Sequence, residues 1–91
     1  MKFKLDTNYT EDELKFIKIY NCNILSEIKL SKTDFSESET PRRMIKYGGS
    51  YIAEIHDAES GEVVWAVLSK WKGVYQFSSI YDSLGSLVQG L

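Results

Sequence analysis

Between Ser50 and Phe77 three strand-like runs are separated by two turn signals, and the middle run is apolar on both of its faces. Tyr51-Ile52-Ala53-Glu54-Ile55-His56 alternates with the period of two that a half-buried strand requires. Asp57-Ala58-Glu59-Ser60-Gly61 supplies turn chemistry, and Lys72-Gly73 supplies a second, tighter turn before Val74 to Phe77. In the run Glu62 to Leu68, Val63, Trp65 and Val67 fall on one face, and Val64, Ala66 and Leu68 on the other. A strand with no polar face has to be covered on both sides or lie in an interface, which places it centrally in its sheet. The pattern predicts an antiparallel meander over about 50–77.

Two helices frame this meander in the sequence. Thr10 reads as an N-cap whose hydroxyl accepts from the Glu13 N–H while the Glu13 carboxylate reaches back to the Thr10 N–H. Glu11, Asp12 and Glu13 sit where the helix dipole favours negative charge. Leu14, Ile17 and Lys18 recur at helical spacing, with Phe16 and Tyr20 on an adjacent stripe, so a helix is expected over about 11–20. Asn21-Cys22-Asn23 ends it, because Asn tolerates left-handed geometry. A closing helix is expected over about 79–89, with Ser79 and Asp82 as a weak capping box and Ile80, Leu84, Leu87 and Val88 as its apolar stripe.

The remaining segments carry weaker signals. Lys2 to Leu5 alternates as a short edge strand would, and Ile24 to Leu30 as a fourth strand would. Ser31 to Thr40 (SKTDFSESET) is polar and acidic and reads as the main flexible loop. Thr40 as cap and Pro41 at the first helical position predict a short helix that Gly48-Gly49 would end.

Length, charge and cysteine count exclude several classes. At 91 residues the chain makes one domain, and burying about 64% of its unfolded surface is the expectation for this mass. A net charge of −2 lies far from the strongly basic balance of a nucleic-acid binder. A single cysteine, Cys22, rules out an internal disulfide, a thiolate zinc cage and a redox pair. It reads instead as a half-buried small hydrophobe. The residues after Met1 hold no signal-peptide apolar run, and no run approaches the roughly 18 residues that span a bilayer, so a cytoplasmic protein without membrane contact is expected. No Gly-Lys-Ser/Thr sequence exists to cradle a phosphate, and no cofactor is implied.

Few residues are candidates for chemistry. His56 is the only histidine; Glu54 shares its strand face while Asp57 points away, so it reads as a solvent-facing side chain rather than a ligand or base. Glu54, Asp57, Glu59 and Glu62 flank the hairpin turn without a local positive charge. They read either as a solvated tip or as an acidic protrusion that docks on a basic partner. An EF-hand is excluded by the oxygen spacing. Arg42, Arg43 and Lys46 form the one basic cluster, directly after Asp34, Glu37 and Glu39. They either compensate that charge or contact an anion. Aromatics reach 13%; Trp65, Trp71, Tyr75 and Phe77 lie in the meander, and Lys70 and Lys72 flank Trp71. Such residues make a core, anchor a protein interface, or stack single-stranded bases.

The expectation is therefore an α+β domain, with an antiparallel sheet of three to four strands and both helices on one face. The expected function is non-enzymatic: occupying a surface of another protein through Glu54, Asp57, Glu59, Glu62, Arg42, Arg43, Lys46 and Trp71. A single-stranded nucleic-acid module is the alternative. A homodimer could form through the strand 62–68 or the C-terminal stripe. In its size, free-standing domain and lack of catalytic motifs the chain resembles the small accessory proteins of bacteriophages. That resemblance implies an inhibitor of host machinery that acts by binding.

Overall fold

The computed structural model describes residues 2–29 and 35–90. Its elements run β1 (Lys2–Lys4), α1 (Glu11–Ile19), β2 (Asn23–Leu25), β3 (Glu27–Lys29), β4 (Glu39–Tyr47), β5 (Ser50–Asp57), β6 (Val63–Trp71), β7 (Val74–Tyr81) and α2 (Leu84–Gln89). Antiparallel sheet dominates. Five strands form one sheet in the order β2-β4-β5-β6-β7, and β1 pairs with β3 in a separate two-stranded ribbon. The helices have only nine and six residues. The sheet is thus larger than expected, and the helical share smaller.

The meander is where the sequence places it, but it begins one strand earlier. β4 occupies the stretch expected to be a short helix. Pro41 is tolerated because a register irregularity falls between Pro41 and Arg43, so Pro41 need not donate to an unbroken ladder. Met44 and Ile45 then bury on opposite faces, a pattern a strand satisfies and a one-turn helix does not. Gly48-Gly49 closes the β4–β5 hairpin rather than a helix, with Gly48 at φ 55°. Lys72 and Gly73 both take positive φ, as a two-residue turn matching the strand twist requires.

Two further expectations are corrected. The fourth strand splits: β2 pairs with β4, and after Ser26 the chain changes layer so that β3 pairs with β1. Leu30 and the loop residues 31–34 lie outside the described residues. At the C-terminus β7 continues to Tyr81, so Ser79 caps nothing. Ser83 is the true N-cap of α2, accepting from the Ser86 N–H at 3.1 Å.

The sheet is covered on both faces. Phe16 and Ile17 of α1 and Leu84 and Leu87 of α2 pack on Ile45, Ile52 and Trp65, so both helices share one face. Leu5 and Ile28, with Phe3 and Phe35 partly buried beside them, cover Met44, Ala53, Ile55, Ala66 and Leu68 on the other. β6 is apolar on both sides for the reason read from its sequence, although β5 occupies the centre. β6 is hydrogen-bonded to strands on both sides, and of the C-terminal stripe Leu84 and Leu87 are buried while Ile80 is exposed. In α1 the Thr10–Glu13 capping box forms, at 3.2 Å and 2.9 Å. Asn21 ends the helical segment at φ 54°. The buried stripe is Phe16 and Ile17, while Leu14 is exposed.

Candidate binding surfaces

Arg43 and Glu54, read from the sequence as contact residues, face each other inside the fold. They are register partners on β4 and β5, and Trp65 on β6 is the next residue in the row. Arg43 Nε donates to Glu54 Oε1 at 3.2 Å and Nη2 to Oε2 at 2.7 Å. From α1, Glu13 accepts Nη1 at 2.9 Å and Nη2 at 3.0 Å, and the Asn8 carbonyl accepts Nη1 at 3.1 Å. All five guanidinium N–H donors are used. The ring of Tyr9 lies 5.0 Å from the guanidinium carbon and that of Trp65 5.2 Å, a cation between two aromatic faces. The side chains of Arg43, Glu13 and Glu54 are only 15%, 15% and 13% exposed.

The electrostatics follow from this geometry. Burial pushes both carboxyls upward, but the hydrogen bonds and charge of Arg43 outweigh it and hold Glu13 and Glu54 below the usual carboxylate range. Glu54 pulls the Arg43 guanidinium further toward its charged form, against the effect of burial. Burial pushes the Tyr9 phenol up to about 12, and its hydroxyl is buried without a hydrogen-bond partner among the described residues. His56 Nε2 lies 3.1 Å from Glu54 Oε1. Since an ionised carboxylate only accepts, this nitrogen carries the proton. The shared face of Glu54 and His56 was legible; its use in an internal network was not.

What remains of the acidic tip joins the preceding loop. Asp57 Oδ1 accepts the Glu59 N–H at 2.9 Å and the Ser60 N–H at 3.4 Å, a turn-forming role that lowers its pKa. The Ala58 N–H donates to the Ser38 carbonyl at 2.8 Å, and Glu39 is the register partner of Asp57. Glu37, Glu39, Asp57, Glu59 and Glu62 therefore gather at one end of the sheet, none of them in an ion pair among the described residues. Asp34 lies outside the described residues.

The basic cluster is divided three ways. Arg43 turns inward, Arg42 enters an open groove with Lys4, Asp6, Thr40, Pro41 and His56, and Lys46 lies at the opposite end of the sheet. The β4–β5 and β6–β7 turns share that end, and Lys46, Lys70 and Lys72 lie 5.9, 5.1 and 5.9 Å from the rings of Tyr51, Tyr75 and Trp71. Trp71 is 66% exposed, whereas Trp65 is 5% exposed. Cys22 is half-buried, and burial raises its thiol. Among the described residues no group of His, Cys, Asp and Glu could hold a metal ion. No described helix is long and apolar enough to cross a membrane. Compared with known proteins, the chain matches no family model, no curated protein and no solved structure.

Proposed function

We propose that the protein is a non-enzymatic binding protein that docks its acidic end on a basic surface of another protein and blocks or modulates it. The observation that carries this reading is the joining of the β5–β6 tip to the 36–39 turn. It presents Glu37, Glu39, Asp57, Glu59 and Glu62 together, with no ion pair to any of them among the described residues. A single-sign surface of this kind steers a charged partner and sets the association rate more than the final affinity. Steric occlusion then does the work, as in the small phage-type inhibitors whose size and lack of catalytic motifs the sequence resembles. Arg43 and Glu54 leave the list of contact residues, because their charges are consumed internally.

The test is capture from cell lysate, with nuclease present, by the natural protein and by Glu59→Lys/Glu62→Lys. One stoichiometric protein held by the first and lost by the second supports the reading. Equal retention by both excludes the acidic end.

The second reading, binding of single-stranded nucleic acid, rests on the opposite end, where three lysines sit beside Tyr51, Tyr75 and the exposed Trp71. Lysines track phosphates while exposed rings stack bases.

A further inference from the structure

The groove lined by Lys4, Asp6, Thr40, Pro41, Arg42 and His56 arises where a short strand meets a long one. β2 pairs only with Met44–Lys46, so the first half of β4 has no strand on that side among the described residues. The segment after β1 runs there instead, and the Asp6 N–H donates to the Arg42 carbonyl at 2.8 Å. Leu5 is buried in the core, while Lys4 and Asp6 on either side of it line the groove. Lys4 and Arg42 thus reach one opening from two separate segments of the chain. Its volume, about 410 Å³, lies in the range of about 300–1,000 Å³ usual for small-ligand sites.

Neither cation has an ion pair among the described residues. The carboxylates around the groove are engaged elsewhere. Asp6 Oδ1 accepts the Asn8 N–H at 2.8 Å, and Glu39 Oε1 accepts the Ser36 N–H and hydroxyl at 3.1 and 2.8 Å. Asp57 closes the β5–β6 turn, and Glu54 is held by Arg43. Glu27, the register partner of Lys4, makes no ion pair with it.

We infer that this groove is a binding site for a carboxylate. The Arg42 guanidinium, a planar fork of donors, matches the two oxygens of such a group, Lys4 adds a point charge, and the Thr40 hydroxyl adds a further donor. Asp6 selects among oxyanions. Two cations and one carboxylate leave the groove with a net charge of about +1, which suits a monoanion and opposes the second charge of a phosphate. A small organic acid and an acidic side chain of another protein both present this group. The site does not depend on docking through the acidic end.

His56 lines the groove and is the only histidine, so its ring nitrogens report on the site unambiguously by NMR. Sodium acetate is titrated at constant ionic strength, with chloride and inorganic phosphate as comparisons at a pH where phosphate is a dianion. Acetate is expected to shift the His56 ring and Arg42 signals saturably, with a dissociation constant of about 1–100 mM for so small a ligand in an open groove. Arg42→Gln and Lys4→Gln, at exposed positions, keep the melting temperature and weaken acetate binding roughly tenfold or more. The blocked tripeptide Ala-Glu-Ala and its Gln counterpart separate the two sources. Glu peptide binding tighter than acetate, with the Gln peptide silent, supports the site and assigns it a protein side chain; acetate binding tighter than the Glu peptide supports it and assigns a small acid. Acetate shifts that do not saturate, tighter binding of phosphate than of acetate, or acetate binding unchanged in Arg42→Gln overturns the inference.

Discussion

Arg43 grips Glu54 across the β4–β5 ladder through two parallel hydrogen bonds, Nε to Oε1 at 3.2 Å and Nη2 to Oε2 at 2.7 Å. The same guanidinium takes both oxygens of Glu13, so one side chain ties α1 to the sheet. A paired, planar fork of this kind is the geometry for which arginine is suited and lysine is not.

Removing that fork should leave two partly buried carboxylates without compensation. Arg43→Met is expected to cost about 3 kcal/mol, the lower part of the range for a broken buried pair, since Glu13 and Glu54 keep some solvent contact. A domain of this length holds only about 5–14 kcal/mol in total. Converting the whole network, Arg43→Met with Glu13→Gln and Glu54→Gln, should recover part of the loss, because no unpaired charge remains. Urea unfolding of the variants measures both. A triple variant weaker than Arg43→Met would show that the carboxylates stabilise the fold without the arginine.

The pH dependence follows from the same pair of carboxylates. Glu13 and Glu54 titrate below their ordinary value of 4.5 in the folded protein. The unfolded chain therefore takes up protons first as pH falls. Their contribution is fully present above about pH 4.5 and is lost as pH drops through the depressed values. At the other extreme, Tyr9 titrates near 12 when folded against 10.0 when exposed, so its contribution is lost as pH rises above about 10. Thermal melts across pH should show both losses. Glu54→Gln should flatten the acid limb, and Tyr9→Phe the alkaline one.

The two tryptophans should behave oppositely on truncation. Trp65, packed between the helices and the sheet, should cost about 3–5 kcal/mol as Trp65→Ala. Trp71→Ala, at an exposed strand end, should change stability by no more than about 0.5 kcal/mol. Denaturant midpoints of the two variants decide this, and similar losses would contradict the assigned burial.

Trp71 also reports on the second functional reading. If the lysine-flanked end binds single strands, short oligonucleotides should quench its fluorescence at about 50 mM salt, where phosphate contacts are strong. An unchanged spectrum at that salt removes nucleic acid as a ligand of this surface.

How far the sequence could be read depended on whether the signal was local. The Thr10–Glu13 capping box, the Asn21 stop, the Lys72-Gly73 turn and the doubly apolar β6 all announce themselves within a few residues. β4 did not, because Thr40-Pro41 mimics a helix start and the irregularity that admits Pro41 depends on its pairing with β5. Arg42-Arg43 reads as one basic patch in sequence, yet the alternation of β4 sends Arg43 toward α1 and Arg42 into the groove with Lys4. The partners of Arg43 lie 30 and 11 residues away, and no spacing rule connects them. Tyr9 and Glu13 were accordingly missed as its partners, although Glu13 was recognised as a cap. The acidic tip was visible, but its union with Glu37 and Glu39 waits on the Ala58–Ser38 hydrogen bond.

The most direct measurement is the association rate of the captured partner with the natural protein and with Glu59→Lys/Glu62→Lys, across ionic strength. Docking through the acidic end predicts that charge reversal slows association and flattens its dependence on salt, because steering by exposed charge is screened beyond about 10 Å at 0.1 M. Identical rates and identical salt slopes would contradict it.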